Sequence, residues 1–419
     1  MFTRIQALRF RCLRHVDQRI GRFATLVGPN ASGKTTFLDV LGFLGDLIQN
    51  SGQVATTALD RSADFRKLLW MSEESSFQLA VEAKLPDSVS ARMAPSFQNY
   101  PLVRYEIEIG LDPGTNLIGL EHEVLWLLAE SSENSSEQRE LFPQTVDSPE
   151  TLFLKPGKGR KIILSNRPGR NANYVPDGKK TYNPSFRLGR ESAAMANIPA
   201  DRDSFHAAPW FRDLLAKGIQ SLTLNSRKMR QPSPPGLGRG FLPDGSNLPW
   251  VIAELQQDEP RCEDWIDHLR TALPDIERIR SIERPEDRHR YIVIRYNGGA
   301  EVPSWLVSDG TLRLLALTIP TYLPNFTGVM LVEEPENGIH PRAIETALQS
   351  LYSVYDGQVL LATHSPVALN MIEPSAVICF AKDPSGATDV VSGDRHPALQ
   401  EWRQGDPDLG VLFAAGILS

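Results

Sequence analysis

One octapeptide constrains this chain more than any other part of its 419 residues: Gly28-Pro29-Asn30-Ala31-Ser32-Gly33-Lys34-Thr35 fits the pattern GxxxxGK[ST]. The apolar run Phe23 to Val27 stands before it, and an apolar-rich stretch from Lys34 to about Ile48 follows. The pattern therefore lies between an expected strand and an expected helix, and that context gives it a mechanism. Glycines let backbone amides turn inward onto phosphate oxygens, and the helix N-terminus favours negative charge. Lys34 reaches the terminal phosphates, and the Thr35 hydroxyl is placed to ligate Mg²⁺.

The rest of the chain extends this βα start. Ile5 to Phe10 reads as a strand, and Phe77 to Ala83, Leu102 to Ile109 and Ile118 to Leu127 read as an antiparallel sheet. Between Ser131 and Lys180 the chain turns polar, beginning with Ser131 to Ser136, and reads as linker and exposed loops. Phe205 to Leu273 carries short helical patterns broken by Gln231-Pro232-Ser233-Pro234-Pro235-Gly236, which no helix can continue through. A strand pair, Ile276 to Ile282 and Tyr291 to Tyr296, leads into the turn Asn297-Gly298-Gly299. Then helix (Leu312 to Ile319), strand (Val329 to Val332), helix (Arg342 to Tyr355) and strands (Val359 to Ala362, Ala376 to Phe380) alternate, which implies a parallel sheet covered by helices.

Two further constellations carry chemistry. The apolar run Val329 to Val332 ends in Glu333-Glu334-Pro335-Glu336. Alone this also fits a solvated acidic turn, but an acid pair at a strand end can hold a Mg²⁺ shell through Glu333 and polarise an attacking water through Glu334. One strand later, His364 of Thr363-His364-Ser365-Pro366 is placed to hydrogen-bond a terminal phosphate. Ser308-Asp309-Gly310-Thr311 opens the helix before the acidic strand, where Ser or Asp reads equally as an N-cap and as part of an anion site.

Composition adds an asymmetry. The chain holds 44 Lys and Arg against 51 Asp and Glu, yet Lys155 to Arg239 holds 17 against 5, leaving 27 against 46 elsewhere. A basic segment is set into an acidic body. Lys158, Arg160, Lys161, Arg227, Lys228 and Arg230 form two short cationic stretches that fit nucleic acid, an acidic partner protein or a solvated surface. Three widely spaced cysteines exclude a disulfide framework, and no charge-free apolar run spans a bilayer. A cytoplasmic protein without secretion signal or membrane anchor is expected.

The motifs in this order resemble the ABC-type ATPase heads of the RecF, SMC and OLD proteins, most closely the AAA_21-type AAA family ATPases of bacterial defence operons. Leu8-Arg9-Phe10-Arg11, the Gly28 to Thr36 loop, Glu333 to Pro341 and Thr363 to Pro366 carry the likeness, which covers residues 1–130 and 295–381. It implies an α/β fold, a P-loop ATPase head of mixed sheet plus antiparallel β subdomain with a large, mainly helical insertion. The division implied is 1–130 for the N-terminal part of the head, 131–294 for linker and inserted basic domain, and 295–419 for the C-terminal part.

The resemblance also implies roles. Asn30, Ala31, Ser32, Gly33, Lys34, Thr35 and Thr36 would bind ATP, with Arg11 contributing and Thr35 and Glu333 at Mg²⁺. Glu334 would be the catalytic carboxylate and His364 the switch histidine. Ser308, Asp309 and Gly310 would form a signature acting on the ATP of the opposite protomer of a homodimer, with Asn337 to His340 as the D-loop. The signature is not a full LSGGQ, Glu333 stands where Asp is usual, and neither Gln53 nor Gln78 suits the Q-loop, so slow turnover is expected. OLD nucleases carry a Toprim domain after the ATPase, and the short stretch beyond His364 has no room for one. The expectation is an ATP-driven sensor or scaffold that controls a separately encoded effector, such as a Toprim-like nuclease, in anti-phage defence. A RecF-like repair ATPase and a non-hydrolysing binding module are the alternatives.

Overall fold

The computed structural model describes residues 1–130, 139–179, 182–237, 240–323, 326–354, 356–401 and 408–418. The polar run Ser131 to Ser136, expected as linker, lies outside the described residues. The chain packs as two units: Met1–Ile219 with Pro374–Pro407 and Gly416–Ser419, and Gln220–Glu373 with Asp408–Ala415.

In the first unit, eight strands form one antiparallel sheet in the order Leu13–Arg19, Phe2–Phe10, Ser76–Lys84, Leu102–Leu111, Ile118–Leu128, Arg160–Asn166, Asn171–Tyr174, Ser185–Arg187. The three strands read as antiparallel are present, each slightly longer than the apolar run suggested. Part of the stretch read as linker and exposed loop is instead sheet. Ile163 and Leu164 are buried in Arg160–Asn166, and Ala172 and Tyr174 alternate inward in Asn171–Tyr174, a short period that flanking polar residues obscure. Leu13–Arg19 was hidden for a similar reason, since buried Gln18 shares its inward face.

A buried polar network crosses this sheet. Arg104 is 2% exposed and pairs with Glu82 at 2.7 Å and Glu106 at 2.6 Å. Its guanidinium also donates to the Leu152 carbonyl, while Leu154 N–H donates to Glu106 and Leu152 N–H to Gln78, so Leu152–Leu154 lies across the sheet as a strap. Gln78 is thus an anchor of that strap.

The same unit holds Phe23–Val27, parallel to Val377–Lys382, which pairs antiparallel with Thr388–Ser392. The helix Lys34–Gln49 is buried on most sides and seats Phe37 against Phe380 at 5.4 Å. A Cβ on Gly45 would stand 3.0 Å from the Leu215 carbonyl, so glycine permits the close crossing with helix Ala207–Gly218.

The second unit pairs Val329–Glu333 in parallel with Gln358–Ala362. Helices Asp309–Thr318, Pro341–Tyr352, Leu248–Leu255 and Glu259–Arg270 belong to it, as does the antiparallel trio Ile276–Glu283, Arg290–Tyr296 and Glu301–Pro303. The alternation read from the sequence is present, with shifted ends. The helix expected from Leu312 starts at Asp309, because Ser308 caps it. The one expected to reach Tyr355 ends at Tyr352, Tyr355 itself lying outside the described residues. No described helix is long and apolar enough to cross a membrane.

Candidate functional site

The residues singled out in the sequence fall into two sets, one in each unit. In the first unit the buried strand Phe23–Val27 ends at Gly28, whose φ is 149° and whose Cβ, if present, would stand 2.1 Å from the Phe380 carbonyl oxygen. Only glycine fits so close to that neighbouring strand. Ala31 (φ 61°) and Gly33 (φ 109°) complete the reversal into helix Lys34–Gln49. No side chain caps the start of that helix, and a helix N-terminus favours an anion.

Lys34 is buried, and its Nζ donates to the carbonyls of Gly28 at 2.7 Å and Pro29 at 2.9 Å, curled over the loop. Ser32 is 1% exposed and its Oγ has no hydrogen-bond partner. A buried hydroxyl in that state just before a helix N-terminus suits phosphate oxygens, so the residues present fit a nucleoside triphosphate. Asn30, Ala31 and Thr35 are exposed, and Thr36 lies 3.5 Å from Cys12 Sγ. Arg11 Nη1 lies 3.3 Å from Asp39 on the same helix. Burial pushes the Asp39 carboxyl upward, opposed by the guanidinium groups of Arg61 and Arg11.

Sequence reasoning missed Thr388. Its buried hydroxyl donates to the Ser32 carbonyl at 2.8 Å, and its amide donates to the Cys12 carbonyl at 3.0 Å, so a distant strand braces the loop. Nothing local in the sequence marks such a long-range contact.

In the second unit Glu333 ends its strand exposed, and Glu334 follows at φ 46°, its amide donating to the Ala362 carbonyl at 2.7 Å. Asn337 Nδ2 donates to Glu334 Oε2, and His364 Nε2 stands 3.9 Å from Glu334 Oε1. The expected acid and histidine therefore converge. Glu336 was the unassigned third acid of the run. Its Oε1 accepts from Thr363 Oγ1 and from His364 N–H, both at 2.8 Å, so it holds the histidine turn against the acidic turn. A cavity of about 440 Å³ opens beside them, with Glu333, Glu334, Asn337 and Arg313 in its wall.

Ser308 Oγ accepts from Thr311 N–H at 3.1 Å, the N-cap that the sequence suggested. A Cβ on Gly310 would stand 2.8 Å from the Gly338 carbonyl oxygen, so the first turn of Asp309–Thr318 sits directly on the Asn337–His340 loop. Asp309 pairs with Arg230 at 2.9 Å.

The six basic residues divide three to each unit. Lys158 and Arg160 are exposed, whereas Lys161 Nζ donates to the Ser96 carbonyl at 2.7 Å and lies 4.2 Å from the Phe97 ring centre. Arg227 is exposed, while Lys228 is 2.8 Å from Asp244. Desolvation raises the Asp244 carboxyl, but hydrogen bonds from Lys228 and Ser246 outweigh it and bring the group down to about 2.

Residues 23–370 match the family model AAA_21, described as "AAA domain, putative AbiEii toxin, Type IV TA system". The chain belongs to the AAA_21 family. No curated protein matches its sequence. Among solved structures, the SMC head bound to the C-winged helix domain of ScpA is 14% identical with a TM-score of 0.50, over 93% of the AAA_21 chain and 97% of that chain. The SMC head domain from Thermotoga maritima gives 11% identity and a TM-score of 0.45, over 93% and 98% of the two chains. The likeness at 0.50 shows the fold: this AAA_21 protein has the fold of an SMC head.

Proposed function

We propose that this AAA_21 ATPase binds ATP and Mg²⁺, hydrolyses ATP slowly, and forms a homodimer around the nucleotide. The observation that carries the reading is the convergence of Glu334 and His364 at 3.9 Å, with Asn337 orienting the carboxylate. A half-exposed carboxylate steadied on one oxygen is placed to polarise a water, and the imidazole beside it can hydrogen-bond the terminal phosphate. Asn30 to Thr36 would hold the phosphates, with Thr35 and Glu333 at the metal and Arg11 beside the nucleotide. Ser308, Asp309 and Gly310 would complete the neighbour's site. Trp305 and Leu306, 44% and 71% exposed just before Ser308, supply apolar surface at the proposed interface.

Residues 1–130 and 295–419 would supply the ATPase head, and 131–294 the inserted basic domain. In the cytoplasm the dimer would act as sensor and scaffold for a separately encoded effector, such as a Toprim-like nuclease, in anti-phage defence. Two things support this reading: the family description names a toxin system, and the SMC head cited above is bound to a separate protein. The exposed cations Lys158, Arg160 and Arg227 favour a second reading, a RecF-like repair ATPase that contacts DNA.

Mixing Lys34→Ala chains with Ser308→Arg chains tests the assembly. Each is expected to be inactive alone, and the mixture to regain part of the phosphate release through its one intact composite site. No recovery, with heterodimers shown to form, would overturn action in trans. Release stimulated by duplex DNA ends would favour the repair reading.

A further inference from the structure

The signature segment carries a charge that its proposed task does not want. If the N-terminus of helix Asp309–Thr318 receives a neighbour's triphosphate, Asp309 at its first position brings a carboxylate towards an anion. The structure sets one cation against that charge. Arg230 Nη2 lies 2.9 Å from Asp309 Oδ1, and the same guanidinium donates to the Val307 carbonyl through Nη2 at 2.9 Å and Nε at 3.2 Å. The main chain of Arg230 is fixed as well. Its N–H donates to the Ser226 carbonyl at 3.1 Å, and its own carbonyl accepts from Ser304 Oγ at 3.1 Å. Arg313, one turn into the signature helix, reaches back to Ser226 Oγ and the Leu224 carbonyl, both at 3.3 Å. Leu224–Arg230 is therefore fastened to the signature at two points.

We infer that Arg230 is a positioning residue of the signature, which neutralises Asp309 and fixes Val307 so that Ser308–Gly310 can accept a triphosphate. This rests on the proposed action in trans. It also separates Arg230 from the cations offered to nucleic acid, because its fork is turned onto the signature. Arg230 is 36% and Asp309 55% exposed in their side chains, and a pair so wet contributes little to folding. A purely structural role and a charge-compensating role then predict different measurements.

The test uses the full chain carrying Glu334→Gln, in which blocked hydrolysis traps the dimer, and reads the ATP concentration for half-maximal dimer by light scattering. Adding Arg230→Ala should raise that concentration about tenfold, because it leaves an uncompensated charge near the phosphates. Adding Asp309→Asn as well should restore it to within about threefold, since the charge needing compensation is gone. Arg230→Lys, which keeps the charge but loses the fork on Val307, should fall between. The melting temperature should stay within about 1 °C throughout, as for a half-exposed pair. An unchanged concentration in Arg230→Ala, or no rescue by Asp309→Asn, overturns the inference while the dimer reading stands. If the Glu334→Gln parent itself forms no dimer with ATP, the dimer reading fails and the inference with it.

Discussion

The turn after Val27 and the turn after Glu333 solve one backbone problem in different ways. Each reverses the chain at the end of a buried strand in a parallel pair, and each places a non-glycine at positive φ, Ala31 at 61° and Glu334 at 46°. In the first turn the groups proposed to work are main-chain amides, with Gly28 and Gly33 pressed against Phe380 and Thr388. In the second, the groups proposed to work are the side chains of Glu334 and His364, 46% and 29% exposed and steadied by Asn337 and Glu336. The residue at positive φ is there the proposed base itself, at a cost of about 1–3 kcal/mol that the surrounding turn sustains. On the proposed function, binding would be built into the fold, whereas catalysis would rest on groups expected to be removable without unfolding it.

Glu334→Gln should expose this contrast most strongly. It keeps the backbone and an acceptor for Asn337 but removes the base, so phosphate release should fall about 10²- to 10⁴-fold while thermal melting stays unchanged. Steady release at the parent rate would break the assignment of Glu334. Lys34→Ala should act next, by weakening ATP binding roughly ten- to a hundredfold through loss of a charge-assisted contact. Calorimetry that finds unchanged affinity would remove the phosphate loop from the nucleotide site.

These positions were legible because their chemistry is local in sequence. A strand, a glycine turn and a helix leave a periodic trace around Lys34, and an apolar run ending in two acids marks Glu333 and Glu334. Pairings over long separations leave no such trace. Arg160–Asn166 and Asn171–Tyr174 join the sheet although their flanks look like loop, and Gln78, a poor candidate for the Q-loop, anchors the Leu152 strap. Arg230 looked like one more surface cation because composition cannot show that its fork turns onto Val307 and Asp309. Glu336 had a signal that went unused, since a third acid two residues beyond the pair invites the question of what it holds.

Thr388 sharpens the comparison with a smaller effect, because it belongs to the fold and yet touches the loop. Its hydroxyl donates to the Ser32 carbonyl at 2.8 Å, and it stands where a Cβ on Gly33 would meet it at 2.4 Å. Thr388→Val keeps the shape but leaves a buried carbonyl unpaired, at a cost of about 1–3 kcal/mol. A unit of this size should then melt about 2–4 °C lower for each kcal/mol lost. If the first turn's function is inseparable from its packing, ATP affinity should drop with it, by about three- to tenfold, because the Ser32 carbonyl that loses its partner is joined to the Gly33 amide in one peptide, inside the loop proposed to hold the phosphates. A lower melting temperature with unchanged ATP affinity would instead show that the strand supports the unit without setting the loop, and the division between binding in the backbone and catalysis in side chains would lose its structural basis.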